Sequence, residues 1–582
     1  MLGSRTRPTP VGDRFGVFGT RRLRSLTLRH LLHAERRPDR AQTTVTDLRD
    51  QMNRVTSTTE RRSTPRSRLT DPRVAAVLPA IVISIAYLLF SPASQDFASG
   101  DFRARLFREG AYVWDLHWFG GHPLPGYGIV SPVLSGLLGV VPVAIVSLIV
   151  ASWAFGAIIA NCKLTYPSLP SPTVATMLFS VGCALSLWGG RLTFGPAVAF
   201  GTLCVLCLQK QRSSLAIVTA LLCGLSSPIG ALSLAIIVFS CWTTRAFPRR
   251  LLVLVGAAAV VPAGIIVLLF PEGGWYPFPG GSFISLTIAL AFVGWFGRRV
   301  PLVRTLVAVY AVVALVAFIV RSPLGGNVVR LAWLAAGPAA VITFTKFRRT
   351  LLPAFVIFTV IWGWSYVKLG FVVADATTKP NYYDSLAAFV QAQPGGVQRV
   401  EVVPTESFRQ ADELALKINI ARGWEAQLDR ELNPEFYDGL TIDTYHTWLL
   451  RNSVSLVALP MASVQPISRL EETIIETAPA YLHLVWSDAQ WRVYRVTDAR
   501  PLADFGATIA AVGTDSLTIE APHAGVITVR FRYSKWYQIA SGNACATRSP
   551  DGWLELHVRT PGTIVASVAL SLENAVGADE CS

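Results

Sequence analysis

The sequence predicts a polytopic α-helical membrane protein of about eleven spans, with a C-terminal extracytoplasmic domain that is α/β at first and then β-rich. Three observations carry this. Of the 582 residues 52% are hydrophobic and only 15% charged, with a mean hydropathy of +0.43, which is too apolar for an ordinary soluble chain. Several windows of about 17 or more apolar residues are long enough to cross a bilayer. Beyond residue 372 the composition turns abruptly soluble.

Taken in order, residues 1–73 hold 17 Arg against 7 acidic residues and supply +10 of the net charge of +15. A basic segment lacking apolar runs is expected to be a disordered cytoplasmic tail, and it places the excess charge in one stretch, so no nucleic-acid partner is implied. Contact with anionic membrane lipids is the other reading, and translation could equally start at Met52. No cleavable signal peptide precedes the first apolar run near Val74.

Spans are expected near 74–90, 141–161, 172–189, 192–208, 250–270, 282–297, 305–320, 327–343 and 351–371 within a membrane domain 74–372. Residues 214–242 read either as one long helix or as two short ones broken at "LSSPIG", where Pro228 interrupts the hydrogen-bond ladder. Charge decides between them. Only the hairpin places "LQKQR", "TTRAFPRR", "GRRVPLVR" and "TKFRRT" together on the cytoplasmic side with the N-terminus. The same accounting puts loop 91–128, "WGGR", "LSSPIG", "PEGGWYPFPGGS", "RSPLGGN" and everything after residue 372 outside the cell membrane. The broken hairpin is expected to border a cavity from that side, and "IVSPVLSGLLGV" to form an interfacial helix.

The C-terminal part divides into a mixed α/β region 373–499 and a β-rich, sandwich-like module 500–582. Its helices are expected at "YYDSLAAFVQAQ" and "QADELALKI". Alternating runs such as "SVSLVALP", "WRVYRVT", "GVITVRFRYS" and "WLELHVRT" read as strands. Outside the membrane Cys545 and Cys581 are a candidate disulfide.

The outward segments carry the chemistry. Asp101 and Asp96 lie just after the first span, where a carboxylate can act as a general base toward a sugar hydroxyl; alternatively each acid ends a helix or pairs with Arg103 or Arg105. Arg103 and Arg105 recur along a helix and match phosphate oxygens. Arg191 and Arg330, at span ends beside glycine-rich turns, are candidates for a lipid-phosphate contact, with snorkelling as the alternative. Trp114, Trp118 and Phe119, with Trp275 and Tyr276 in a later loop, fit either an interfacial belt or a saccharide-stacking surface. His117 and His122 lack the spacing of a metal centre; no metal or other cofactor is expected, and a divalent-ion requirement is left open. No phosphate-binding glycine loop occurs, so a donor must arrive already activated.

The acid-bearing "QDFASGDFRAR", the "GGHPLPGYGIVSPVLSGLLG" that follows it, about eleven spans and an outer C-terminal domain together resemble the GT-C superfamily of integral-membrane glycosyltransferases. "ARGWEAQLDRELNPEFYDGLTIDTYHTWL" is similar to a segment of actinobacterial membrane proteins of this type. The resemblance implies transfer of a sugar from a polyprenyl-phosphate donor to a cell-envelope glycan or glycolipid, with Asp101 the match for the first-loop catalytic acid and Asp96 second. His122 then joins Arg103, Arg105, Arg191 and Arg330 as a binder of the lipid phosphate. Arg422, Trp424, Gln427 and Asp429, with Trp275 and Tyr276, are candidates for holding the acceptor, or alternatively for docking the domain on the bundle. The acids are not adjacent and "HPLP" replaces the superfamily's "HPPL", so a transporter or flippase of lipid-linked precursors, or a non-catalytic envelope-assembly protein, stands as the alternative.

Overall fold

The computed structural model describes residues 70–92, 94–165, 169–271, 274–344, 349–367, 376–572, 574 and 581, without the side chains of Tyr127, Thr165, Ser365 and Tyr366. The basic tail up to residue 69 and the end of the expected last span, 368–371, lie outside the described residues.

Eleven apolar helices make the bundle among the described residues: α1 Pro72–Phe90, α4 Val140–Thr165, α5 Pro172–Trp188, α6 Phe194–Gln209, α7 Ser213–Ser226, α8 Pro228–Thr244, α9 Arg249–Leu269, α10 Gly280–Gly297, α11 Pro301–Ile319, α12 Arg330–Thr343 and α13 Leu351–Val367. Six, counting the 3-10 turn before α12, are long and apolar enough to cross a membrane, and five are shorter. The chain is a multi-pass membrane protein. Local chemistry starts α1: Asp71 caps it by accepting from the Arg73 N–H at 2.8 Å, with Pro72 in the first turn.

The hairpin at "LSSPIG" has the same origin. Pro228 takes the first position of α8, and Ser227 accepts from the Gly230 N–H, so α7 and α8 are separate helices. The expected cavity at this break is instead filled by protein. The Ile129 N–H donates to the Leu225 carbonyl at 2.8 Å and the Ser131 hydroxyl to the Ser226 carbonyl at 3.2 Å. Carbonyls freed by the break are therefore met by the start of α3 Val130–Leu138, the short helix expected at this point. Small residues let the helices approach: a Cβ on Gly224 of α7 would lie 2.1 Å from the Ala259 carbonyl oxygen of α9.

Between α1 and α3, the opening loop forms α2 Phe97–Arg108 and a short hairpin of β1 Trp114–Asp115 with β2 His122–Pro123. In the C-terminal part, α14 Asp384–Gln391 precedes a five-stranded mixed sheet of order β4-β3-β5-β7-β6, with β3 Arg399–Val402, β4 Asn419–Ile420, β5 Leu456–Pro460, β6 Leu482–Ser487 and β7 Trp491–Val496. Its connections include α15 Gln410–Glu413, α16 Ala426–Leu432, α17 Glu435–Asp438, α18 Ile442–Arg451 and α19 Arg469–Glu476. The expected helix over "QADELALKI" is thus a single turn, because Leu414 and Ala415 turn into the core shared with the opening loop. Two antiparallel sheets follow. One has the order β11-β14-β9-β8 and the other β10-β13-β12, built from β8 Thr508–Val512, β9 Ser516–Ala521, β10 Gly525–Arg532, β11 Tyr537–Ser541, β12 Ala544–Arg548, β13 Trp553–Val558 and β14 Gly562–Val568.

The opening loop is built into this C-terminal part. Phe102, Leu106, Trp118 and Phe119 share one core with Leu386, Val400, Leu414 and Trp491, while Trp114 and Leu116 share another with Ile527 and Trp536. At the same end of the bundle, Phe270 stacks on Trp536 at 5.1 Å, and a Cβ on Gly274 would lie 2.2 Å from the Gln427 carbonyl oxygen. The segments that charge accounting groups on one side of the membrane thus meet at one end of the molecule.

Candidate active site

Helix α2 presents its two acids to different partners. Asp96, just before its first turn, accepts from Arg191 Nε at 3.1 Å, and its side chain keeps 37% of its accessible surface. Asp101 is more enclosed. Its Oδ2 accepts from Arg105 Nε at 2.8 Å, and the same guanidinium bonds both Glu413 oxygens at 2.9 and 3.2 Å. Arg409 completes the cluster at 2.6 Å from both Asp412 and Glu413. Burial pushes the Asp412 carboxyl well up and outweighs the nearby Arg409. Carboxylate oxygens of Asp101, Asp412 and Glu413 come within 4.8 Å of one another, a spacing a divalent ion could use, but Arg105 and Arg409 already balance these charges.

Of the expected phosphate ligands on the loop, Arg103 and His122 are buried instead, while Arg105 stays partly exposed within the acidic cluster. Arg103 donates to the Leu124 carbonyl at 2.9 Å and pairs with Glu425, both side chains being almost inaccessible. His122 lies between two carboxylates, with Nδ1 3.3 Å from Asp115 and Nε2 3.8 Å from Glu425. Burial alone would raise the Asp115 carboxyl; hydrogen bonds from His117 and His122 outweigh it and hold the group below the usual carboxylate range. Trp118 stacks between Phe102 at 4.1 Å and His122 at 5.7 Å and donates its Nε1–H to the Ala411 carbonyl. Trp114, Trp118 and Phe119 are therefore core residues, not a belt or a saccharide surface, because the C-terminal part covers them.

Arg191 and Arg330 come together at the mouth of the bundle. Arg191 lies 5.4 Å from the Trp333 ring of α12, and Arg330 lies 5.2 Å from the Phe194 ring of α6. Arg330 also donates to Asn327 at 2.7 Å. Arg191 lines a cavity of about 20 Å³ with Ser147, Leu148, Ser186, Leu187 and Gly195, roughly the room one water needs. Asp96 and Arg191 are thus paired at the end of the apolar bundle, and Arg330 begins the helix whose Trp333 ring faces Arg191.

The acceptor candidates separate. Trp275 lies beside Arg430 of α16, whose first turn touches Gly274 through Gln427, and Tyr276 packs on Gly325. Arg422 is buried between Glu401 and Glu471, at 2.7 and 2.9 Å. Asp429 accepts from Tyr437 and Asn433, and Trp424 stacks on Phe408 at 3.6 Å. The polar groups of Arg422 and Asp429 are therefore engaged inside the domain. Cys545 and Cys581 are joined by a disulfide.

Sequence reasoning passed over Asp115, Asp412, Glu413 and Glu425. A signal existed for Asp115, since "WDLHW" sets an acid and a histidine two apart among aromatics. Glu425 and Glu413 carried none, because their partners lie about three hundred residues away.

No family model matches the chain, and no curated protein matches it. Among solved structures it is similar to ArnT from Cupriavidus metallidurans bound to undecaprenyl phosphate. That similarity covers 72% of this chain and 97% of that one, at 13% identity and a TM-score of 0.39, a level that assigns neither residues nor activity.

Proposed function

We propose that the chain is a membrane glycosyltransferase of GT-C type that moves a sugar from a polyprenyl-phosphate donor to an envelope glycan or glycolipid, at the end of the bundle covered by the C-terminal part. The observation that carries this reading is Asp96: a partly accessible carboxylate set against Arg191, with Arg330 beside it, where apolar helices end. In the proposed reaction a carboxylate removes the proton of the acceptor hydroxyl as its oxygen bonds to the anomeric carbon. The bond from that carbon to the phosphate oxygen breaks, and the polyprenyl phosphate leaves with the bonding electrons. Arg191 and Arg330 stabilise the negative charge that builds on the phosphate. Asp96 is the better-placed base, since Asp101 is held by Arg105 within a cluster of opposite charges. The cavity beside Arg191 has room for about one water.

One observation favours a second reading, a non-catalytic envelope-assembly protein. Arg103, His122 and the loop aromatics, which a catalytic loop would expose, are packed as core. Complementation of a deletion strain separates the two. If the transferase reading holds, Asp96→Asn fails to restore the envelope glycan while Asp101→Asn retains part of the activity. Full restoration by both variants removes the transferase reading and leaves the assembly role.

A further inference from the structure

Trp275 stands where the membrane bundle meets the C-terminal part, and two cations share its ring. The Arg321 guanidinium carbon lies 5.1 Å from the indole centroid and that of Arg430 lies 5.0 Å from it. Arg430 also covers Tyr437 at 4.0 Å. Three separate segments supply these groups: the loop after α9, the turn after α11, and α16.

With both guanidinium groups beside one ring, an anion placed there is attracted by both charges at once. Among the described residues neither Arg321 nor Arg430 has an acidic partner. The acids flanking Arg430 in sequence are directed elsewhere: Asp429 accepts from Asn433 and Tyr437, and Glu431 lies near Arg532. By contrast Arg103, Arg105, Arg191, Arg409 and Arg422 each face a carboxylate. Among the described residues, two arginines without an acidic partner therefore meet at Trp275.

The position fixes the kind of anion. Arg321 directly follows Phe318, Ile319 and Val320, which are exposed and apolar at the end of α11, so it sits where the hydrocarbon-facing surface ends. Phosphate groups of lipids lie at that depth, a guanidinium pairs with phosphate through two parallel hydrogen bonds, and an indole suits the same interface. We propose that Arg321, Trp275 and Arg430 form a phosphate subsite that takes a lipid headgroup and pins the C-terminal part to the bilayer surface. The subsite is separate from Asp96 and Arg191 and stands without the transferase reading.

The test is native mass spectrometry of the full chain, titrated with phosphatidylglycerol, with a phosphate-free galactosyl diacylglycerol, and with polyprenyl phosphate. Wild type retains phosphatidylglycerol over the phosphate-free lipid, and Arg321→Gln/Arg430→Gln lowers that retention at least tenfold. Arg298→Gln, which removes another arginine stacked on a tryptophan at the far end of α10, leaves it unchanged. Polyprenyl phosphate displacing phosphatidylglycerol identifies the donor lipid as the source of the phosphate; failure to displace it identifies bulk phospholipid. Should the double variant not fold, the single change at exposed Arg321 lowers retention about threefold. Equal retention by wild type and the Arg321 variants, or an equal loss in Arg298→Gln, overturns the proposal.

Discussion

Replacing Arg103 by Met tests how the opening loop is held. Methionine keeps much of the stem but removes the donors to Leu124 and Glu425. Both side chains of the pair are about 95% or more buried, so the exposed-pair range of about 0–1 kcal/mol does not apply. Breaking a buried pair from one side costs about 3–5 kcal/mol, because it strands the remaining charge. The Leu124 carbonyl, if left unmet, adds about 1–3 kcal/mol. For a unit the size of the C-terminal part, the expected fall in melting midpoint is on the order of 10 °C. Hydrogen exchange should rise together in 114–124 and 411–425, which the loop ties to one another. Arg103→Met/Glu425→Gln removes both charges and should recover most of the loss, since a neutralised pair no longer leaves a buried ion. A midpoint within about 2 °C of wild type for Arg103→Met, with exchange unchanged, would show that the pair does not hold the loop.

Burial raises both the Glu401 and Glu471 carboxyls and outweighs Arg422 between them; the nearby Glu471 charge adds to the rise at Glu401. A raised folded value favours the protonated form, so the stabilisation is complete below the unfolded glutamate value and is lost as pH rises toward the folded one. The slope is about 1.4 kcal/mol per pH unit for each group; denaturation against pH should show it, and Glu401→Gln should flatten it. Trp118→Ala, at a site with no exposure, should lose about 3–5 kcal/mol by cavity formation, read from the same thermal midpoints. Cys545→Ser opens a link spanning 36 residues, so the β-rich module should lose about 3–4 kcal/mol in chemical denaturation, and reductant should have no further effect on that variant.

The bundle was legible in the sequence because its determinants are local. Long apolar runs specify helices, and Pro228 followed by Gly230 marks the break that basic connectors had already required. Strands such as β7, β10 and β13 were readable from alternation, whereas β4, at two residues, and β12 offered little periodic signal. The site was legible only in part. Asp96, Arg191 and Arg330 stood out as polar groups at span ends, and the structure brings them to one place. The roles of Arg103, His122 and Trp118 were not readable, since an aromatic and charged loop looks the same whether it lines a surface or fills a core. What decides is Ala411, Glu413 and Glu425, some three hundred residues later, and no periodicity links those to the loop. Arg422 misled for a similar reason, its partners Glu401 and Glu471 arriving from β3 and α19.

Asp96 is proposed to serve as the base for sugar transfer, beside arginines that hold the donor phosphate. Its most direct test is transfer of a labelled sugar from polyprenyl phosphate to envelope acceptor by the purified chain in lipid, comparing wild type with Asp96→Asn at matched melting midpoint. Wild type should turn over, and the variant should lose about 10²–10⁴-fold. Turnover by Asp96→Asn equal to wild type would contradict it.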